Sequence, residues 1–274
     1  MKYLARTATG EPLLGDDEGY VPLTAVEPDL DSVRDALPRA AAGTLGDAAD
    51  APADPIPEAD ITFGAPLERF GKLWGIGLNY AEHAGDLDED RPAEPASFMK
   101  PRSVLTGPGG PIRLPPTEQS ERVTAEAELA VVMGRTCRNV DEGEFGDVVA
   151  GFLPVIDMTA EDVLQRNPRF LTRAKSYDTF LVTGHALAVP EESVDLTSLS
   201  VKTIVNGTVA AENDVRNMLF PPESIVSFHS DVMTLGPGDL FSTGTPGAEP
   251  IEPGDEVRAV VESIGAVEAP VRRS

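Results

Sequence analysis

The chain has 274 residues, a formal net charge of −24 and a pI near 4.3. Such a field repels polyanions, which excludes nucleic acid as a natural partner. One cysteine, Cys137, excludes an intramolecular disulfide framework and any multi-cysteine metal site.

Only five lysines occur, Lys2, Lys72, Lys100, Lys175 and Lys202. A surface rich in Asp and Glu and poor in Lys suits hydration in concentrated salt, which would also screen the self-repulsion. A salt-loving organism's cytoplasm is the expected setting. No charged-then-apolar leader opens the chain, and no apolar run approaches a membrane span, so a soluble protein without membrane contact is expected.

In chain order, short strands are expected at Tyr3 to Ala5 and Tyr20 to Leu23, and a helix at Leu30 to Leu37. Residues Ala40 to Pro57, rich in Ala, Asp, Gly and Pro, read as a helix end followed by an exposed linker. This predicts a small N-terminal domain and linker over 1–70 and a main domain over 71–274. In the latter, strands are expected at Leu73 to Leu78, within Ala125 to Gly134, at Val148 to Ile156, Val201 to Val205, Leu240 to Thr243 and Glu256 to Ile264. Gly238-Asp239 and Gly254-Asp255 read as turns whose glycines permit left-handed angles. Many short strands with two or three helices predict a β-rich α+β fold, a sandwich or roll.

Within Ala125 to Gly134, Glu126 and Glu128 interrupt an apolar run. Alternation places both on one strand face, about 7 Å apart, where burial without a cation would push one to protonate. A solvated strand face with two spare acids is the alternative. Asp157 ends the run Phe152 to Ile156, and Thr159-Ala160-Glu161-Asp162 after it has the form of a capping box. Asp157 is then either a helix-entry cap or the third member of an all-oxygen triad suited to Mg²⁺, Mn²⁺ or Ca²⁺ rather than zinc.

Lys175, amid apolar and aromatic neighbours, is either a surface charge paired with Asp178 or a buried ammonium able to stabilise an enolate. His83 and Asp86 are spaced to share a helix face within Asn79 to Asp86, where the aspartate could orient the imidazole as a general base; a solvated histidine is the alternative. His185 and His229 read as structural. Ser242 to Gly247 offers amides and hydroxyls as a cradle for a substrate carboxylate, or is a plain turn.

Taken in order, Asn79-Tyr80-x-x-His83, Phe98-Met99-Lys100-Pro101, Glu126-x-Glu128-Leu129-Ala130-Val131-Val132, Asp157-Met158-Thr159-Ala160-x-Asp162, Lys175-Ser176-Tyr177-Asp178-Thr179-Phe180 and Thr243-Gly244-Thr245-Pro246 resemble the fumarylacetoacetate hydrolase family over roughly Leu73 to Val271. The resemblance implies a mixed β-sandwich roll and a homodimer, with Glu126, Glu128 and Asp157 holding Mg²⁺, Mn²⁺ or Ca²⁺. It also implies a 2-oxo or diketo acid substrate, contacts from Lys175, Thr245, Gly244 and Tyr80, and water activation by His83 on a lid. Two departures stand out. Asp86 is one methylene shorter than the glutamate of many relatives, and Leu78 stands where acylpyruvases often carry arginine. The expected activity is metal-dependent cleavage of a carbon–carbon bond in an acylpyruvate. A lyase or isomerase on the same site, acting on a 2-oxo-3-deoxy sugar acid or a hydroxymuconate-type diacid, is the alternative.

Overall fold

The computed structural model describes residues 1–80, 92–191 and 194–273. In chain order the strands are β1 (Lys2–Arg6), β2 (Pro12–Asp16), β3 (Gly19–Pro22), β4 (Leu73–Gly77), β5 (Ala96–Lys100), β6 (Leu105–Thr106), β7 (Ile112–Leu114), β8 (Val123–Met133), β9 (Val149–Ala160), β10 (Leu181–Thr183), β11 (Ala186–Val189), β12 (Ser200–Val205), β13 (Thr208–Asp214), β14 (Leu240–Ser242), β15 (Glu249–Ile251), β16 (Glu256–Val261) and β17 (Gly265–Arg273). Among the described residues they form two sheets, one of twelve strands and one of five, a mixed β-rich α+β architecture.

The larger sheet follows the order β3-β2-β1-β11-β9-β8-β14-β4-β5, with β10 and β15 pairing beside β9 and β8. Its centre is the antiparallel pair β8 and β9, every residue of which is buried. Strands covered on both faces carry apolar residues continuously, and here the interruptions are the acids themselves. Alternation gives β8 two unlike faces. Ala125, Ala127, Leu129 and Val131 point to the five-stranded sheet, where the small alanines let Thr203 of β12 accept the Ala127 N–H at 3.0 Å. Thr124, Glu126 and Glu128 point the other way.

The larger sheet is curled. β5 lies four strands from β9 along the sheet path, about 19 Å if the sheet were flat. Yet the Lys100 side chain on β5 reaches Asp157 on β9, so the sheet must roll around the acid-bearing face. The chain returns through β6, which pairs with β10, and β10 pairs with β9 at Asp157 itself.

Several local expectations are corrected. β9 runs through to Ala160, so Asp157 lies inside a strand and not at its end. The helix Glu161–Arg166 starts without a side-chain cap because its N-cap residue is Ala160, and the Thr159 hydroxyl donates instead to Glu126. The stretch Glu256 to Ile264 is not one strand. It turns at Ser263 (φ 60) and Gly265 (φ 148) into the β16–β17 hairpin. The helix expected over Leu30 to Leu37 runs Val33–Ala41, because Ser32 accepts the Asp35 N–H and sets its start. Gly238 and Gly254 adopt the expected left-handed angles, φ 79 and 103. The N-terminal strands extend the larger sheet through the β1–β11 pairing. No helix among the described residues is long and apolar enough to cross a membrane.

Candidate metal centre

Glu126 and Asp157 are direct cross-strand partners on β8 and β9, and Glu128 lies two residues along the same face. One ligand atom from each acid lies within 4.8 Å of the others, and all three residues are buried. Convergence therefore follows from strand register alone.

The edge of β8 explains what supports them. β14 pairs with β8 from Ala130 to Val132 and β15 pairs from Val123 to Ala125, which leaves a gap opposite the two glutamates. The loop after β14 fills the gap. Ser242 Oγ donates to Glu128 Oε2 at 2.5 Å and the Gly244 N–H donates to the same oxygen at 2.7 Å. Gly244 has φ +102, and a Cβ there would come 2.8 Å from the Asn79 Cβ. Asn79 in turn clamps this loop, donating to the Thr243 and Phe220 carbonyls at 2.7 and 2.9 Å. Leu78 takes a left-handed φ of 56° immediately before it, a conformation that costs a non-glycine residue about 1–2 kcal/mol.

Glu126 accepts from Thr159 Oγ1 through Oε1 and from Lys175 Nζ at 2.8 Å through Oε2. Asp157 Oδ1 accepts from Lys100 Nζ, which also donates to the Phe180 carbonyl at 2.6 Å. Asp157 Oδ2 is buried and accepts no hydrogen bond among the described residues; Lys175 Nζ stands 3.4 Å from it. The Lys175 ammonium also lies 5.1 Å from the centre of the Phe98 ring. Its expected alternative, pairing with Asp178 at the surface, is not what the structure shows, because Lys175 is buried against two acids.

With all five groups ionised, three carboxylates and two ammoniums would leave this enclosed cluster one negative charge in excess. Burial, then Asp157 and Glu126, push the Glu128 carboxyl up to about 8 despite Lys175 and Ser242. Burial works against the charged form of Lys175, but Asp157, Glu126 and Glu128 outweigh it and hold its pKa above the ordinary lysine value. Burial pulls Lys100 below that value, with Asp157 opposing. A buried carboxyl pushed towards its neutral form by its acidic neighbours, an all-oxygen donor set and a carboxylate oxygen without a hydrogen bond among the described residues fit a hard divalent cation.

Tyr80 is fully buried, and its hydroxyl has no hydrogen-bond partner among the described residues. Burial, then Glu128 and Asp214, raise its pKa, so it remains a donor. Thr245 Oγ1 donates to the Gly247 carbonyl at 2.8 Å. His83 and Asp86 lie outside the described residues. The sequence placed Lys100 and Asn79 in motifs without a role of their own, Ser242 in a carboxylate cradle and Thr159 in a capping box; in the structure all four support the acids or their loop. The signal for Lys100 was the same scarcity of lysine that singled out Lys175. The cleft of about 690 Å³ lined by Tyr3, Tyr20, Glu58, His185 and Arg258 contains none of the three acids.

A family model described as Fumarylacetoacetate (FAA) hydrolase C-terminal matches residues 72–272. The oxaloacetate tautomerase fahd2, mitochondrial, of Xenopus laevis is 32% identical over 270 residues, covering 94% of this chain and 84% of its own length. A 2,4-didehydro-3-deoxy-L-rhamnonate hydrolase of Sphingomonas is 35% identical over 226 residues, covering 79% of each. Among solved structures, maleylpyruvate hydrolase from Sphingobium, in complex with manganese(II) and pyruvate, superposes with a TM-score of 0.78 at 26% identity, covering 99% of each chain.

Proposed function

We propose a reaction for a chain that belongs to the fumarylacetoacetate hydrolase family: divalent-metal-dependent hydrolysis of a carbon–carbon bond in an acylpyruvate or related 2,4-diketo acid. The observation that carries the reading is the convergence of Glu126, Glu128 and Asp157 within 4.8 Å beside the Lys175 ammonium. These three acids would hold Mg²⁺, Mn²⁺ or Ca²⁺, which when bound supplies a Lewis acid for the vicinal oxygens of a 2-oxo acid. The manganese and pyruvate found in the similar Sphingobium hydrolase support this choice of ligand class.

Each step falls to a named side chain. Lys175 donates to the substrate's enolisable oxygen and holds the negative charge that develops there. Tyr80, with its proton secured and its hydroxyl without a partner among the described residues, donates to a second substrate oxygen. Gly244 and Thr245 line the carboxylate end. His83, oriented by Asp86, removes a proton from water, which adds to the carbonyl carbon distal to the carboxylate. The carbon–carbon bond then breaks with its electron pair passing to the pyruvate half as an enolate. Protonation at carbon yields pyruvate, and the other half leaves as a carboxylic acid. We also assign a homodimer in the cytoplasm of a salt-loving cell; light scattering should give about twice the chain mass of 29.0 kDa.

A second reading has its own support. The Xenopus relative is a tautomerase over nearly the whole chain, and moving a proton between carbon and oxygen of a 2-oxo acid needs no activated water. Isomerisation of a hydroxymuconate-type diacid, or dehydration of a 2-oxo-3-deoxy sugar acid, belongs with it. The Mn²⁺-loaded protein should be assayed for pyruvate release from acetylpyruvate, for enol–keto interconversion of oxaloacetate, and for water loss from a deoxy sugar acid. Pyruvate release lost in His83→Ala supports hydrolysis. Acceleration of only the second or third reaction sinks it in favour of the alternative.

A further inference from the structure

The motif Phe98-Met99-Lys100-Pro101 contributes two side chains to the acid cluster, and only one has been accounted for. Phe98 backs Lys175. Lys100 sits on β5, far along the sheet from β9, and its side chain is 1% exposed. Two contacts occupy its ammonium, Asp157 Oδ1 and the Phe180 carbonyl. An ammonium sealed in this way cannot accompany a substrate. Lys175 is different, since it faces Glu126 and the other oxygen of Asp157.

We propose that Lys100 is a positioning residue that assigns the two oxygens of Asp157, holding Oδ1 in a permanent hydrogen bond so that Oδ2 is presented to the cation. The inference rests on the reading of Glu126, Glu128 and Asp157 as a metal site. Three observations converge on it. Oδ2 is buried and accepts no hydrogen bond among the described residues. The opposite end of Lys100 is anchored on β5 by pairing with Leu73, and Phe180 lies directly before β10, which itself pairs with Asp157. The lysine therefore ties β5, at one end of the rolled sheet, to its central strand β9 at the ligand carboxylate. Partners behind a ligand commonly set metal affinity, and losing one costs about 10–100-fold.

A second account of Lys100 gives the opposite sign. As a mere positive charge beside the site it would repel a dication, and its removal would tighten binding. Titration calorimetry with Mn²⁺ on the metal-stripped full chain distinguishes the two, without reference to turnover. Lys100→Met should weaken Mn²⁺ binding about 10–100-fold, while Lys100→Gln, which keeps an N–H for Oδ1 and loses the charge, should weaken it less. In an Asp157→Asn background, Lys100→Met should have little further effect, because the lysine acts through that carboxylate. Unchanged or tighter binding in Lys100→Met, or an equal loss in the Asp157→Asn background, overturns the assignment. Should Lys100→Met fail to fold, as judged by thermal unfolding in chelator, Lys100→Gln decides, and binding tighter than wild type overturns it. Wild type that takes up no Mn²⁺ overturns the metal reading, and the role of Lys100 with it.

Discussion

Glu126 and Asp157 face each other across β8 and β9, and one ammonium, that of Lys175, touches both, at 2.8 and 3.4 Å. A carboxylate pair in direct cross-strand register is repulsive and costly to bury. Its presence at the centre of the sheet, with Glu128 beside it, opposes stability and is the observation on which the proposed metal site rests.

Glu126→Gln should remove a ligand while preserving shape. Metal-dependent turnover should fall at least about 100-fold, the upper range for loss of a supporting group alone. In wild type, Mn²⁺ at about 100 times its dissociation constant should add about 2.7 kcal/mol of stability, and a chelator should reverse it. Thermal unfolding with and without chelator measures the second effect. Equal melting temperatures in wild type would exclude tight binding.

Gly75 faces Phe98 across β4 and β5, and a Cβ there would overlap the far edge of the Phe98 ring. Because that ring backs Lys175, Gly75→Ala should cost about 1–3 kcal/mol of stability by overpacking and lower kcat. Mn²⁺ affinity should change little, since a phenyl ring offers no hydrogen-bond donor to the three carboxylates. Calorimetry beside steady-state kinetics separates the two outcomes.

His229 lies buried in the helix Pro222–Val232, with Nδ1 2.7 Å from the Ile225 carbonyl and its ring centre 4.7 Å from that of Trp74, the chain's one tryptophan. Burial lowers its pKa below the usual histidine value, although the Ile225 carbonyl opposes this. The folded state thus binds the proton less readily than the unfolded chain does. Stability is complete above about pH 6.5, the unfolded value, and declines as pH falls through the lower folded value. Urea midpoints at pH 7.5 and 5.5 should show a loss that His229→Phe reduces. An identical loss in the variant would assign the decline to carboxylates instead.

The net charge of −24 should make the fold more stable in concentrated KCl than in dilute buffer, because screening removes self-repulsion. Melting temperatures at low and molar salt test this. A flat profile would leave the acid-rich composition without a stabilising role in salt.

Much of the site was legible in the chain itself. Alternation is a property of consecutive residues, so Glu126 and Glu128 could be placed on one face before any partner strand was known. The ordered motifs pointed to Asp157, Lys175 and the Gly244 loop. The β16–β17 hairpin was hidden, because Glu262-Ser263-Ile264-Gly265 lacks the usual two-residue turn signal. The continuation of β9 past Asp157 was hidden by residues that would suit a helix cap equally well.

The sequence by itself determined the kind of chemistry available: three acids and a rare lysine, with period-two spacing, in an apolar setting. Tertiary structure alone decided which oxygen of Asp157 is engaged and by what. Lys100 reaches Oδ1 only because a sheet that would hold β5 and β9 about 19 Å apart when flat curls back on itself. Curvature of that kind is the summed result of twist, packing and strand pairing across the whole sheet, and no local stretch encodes it.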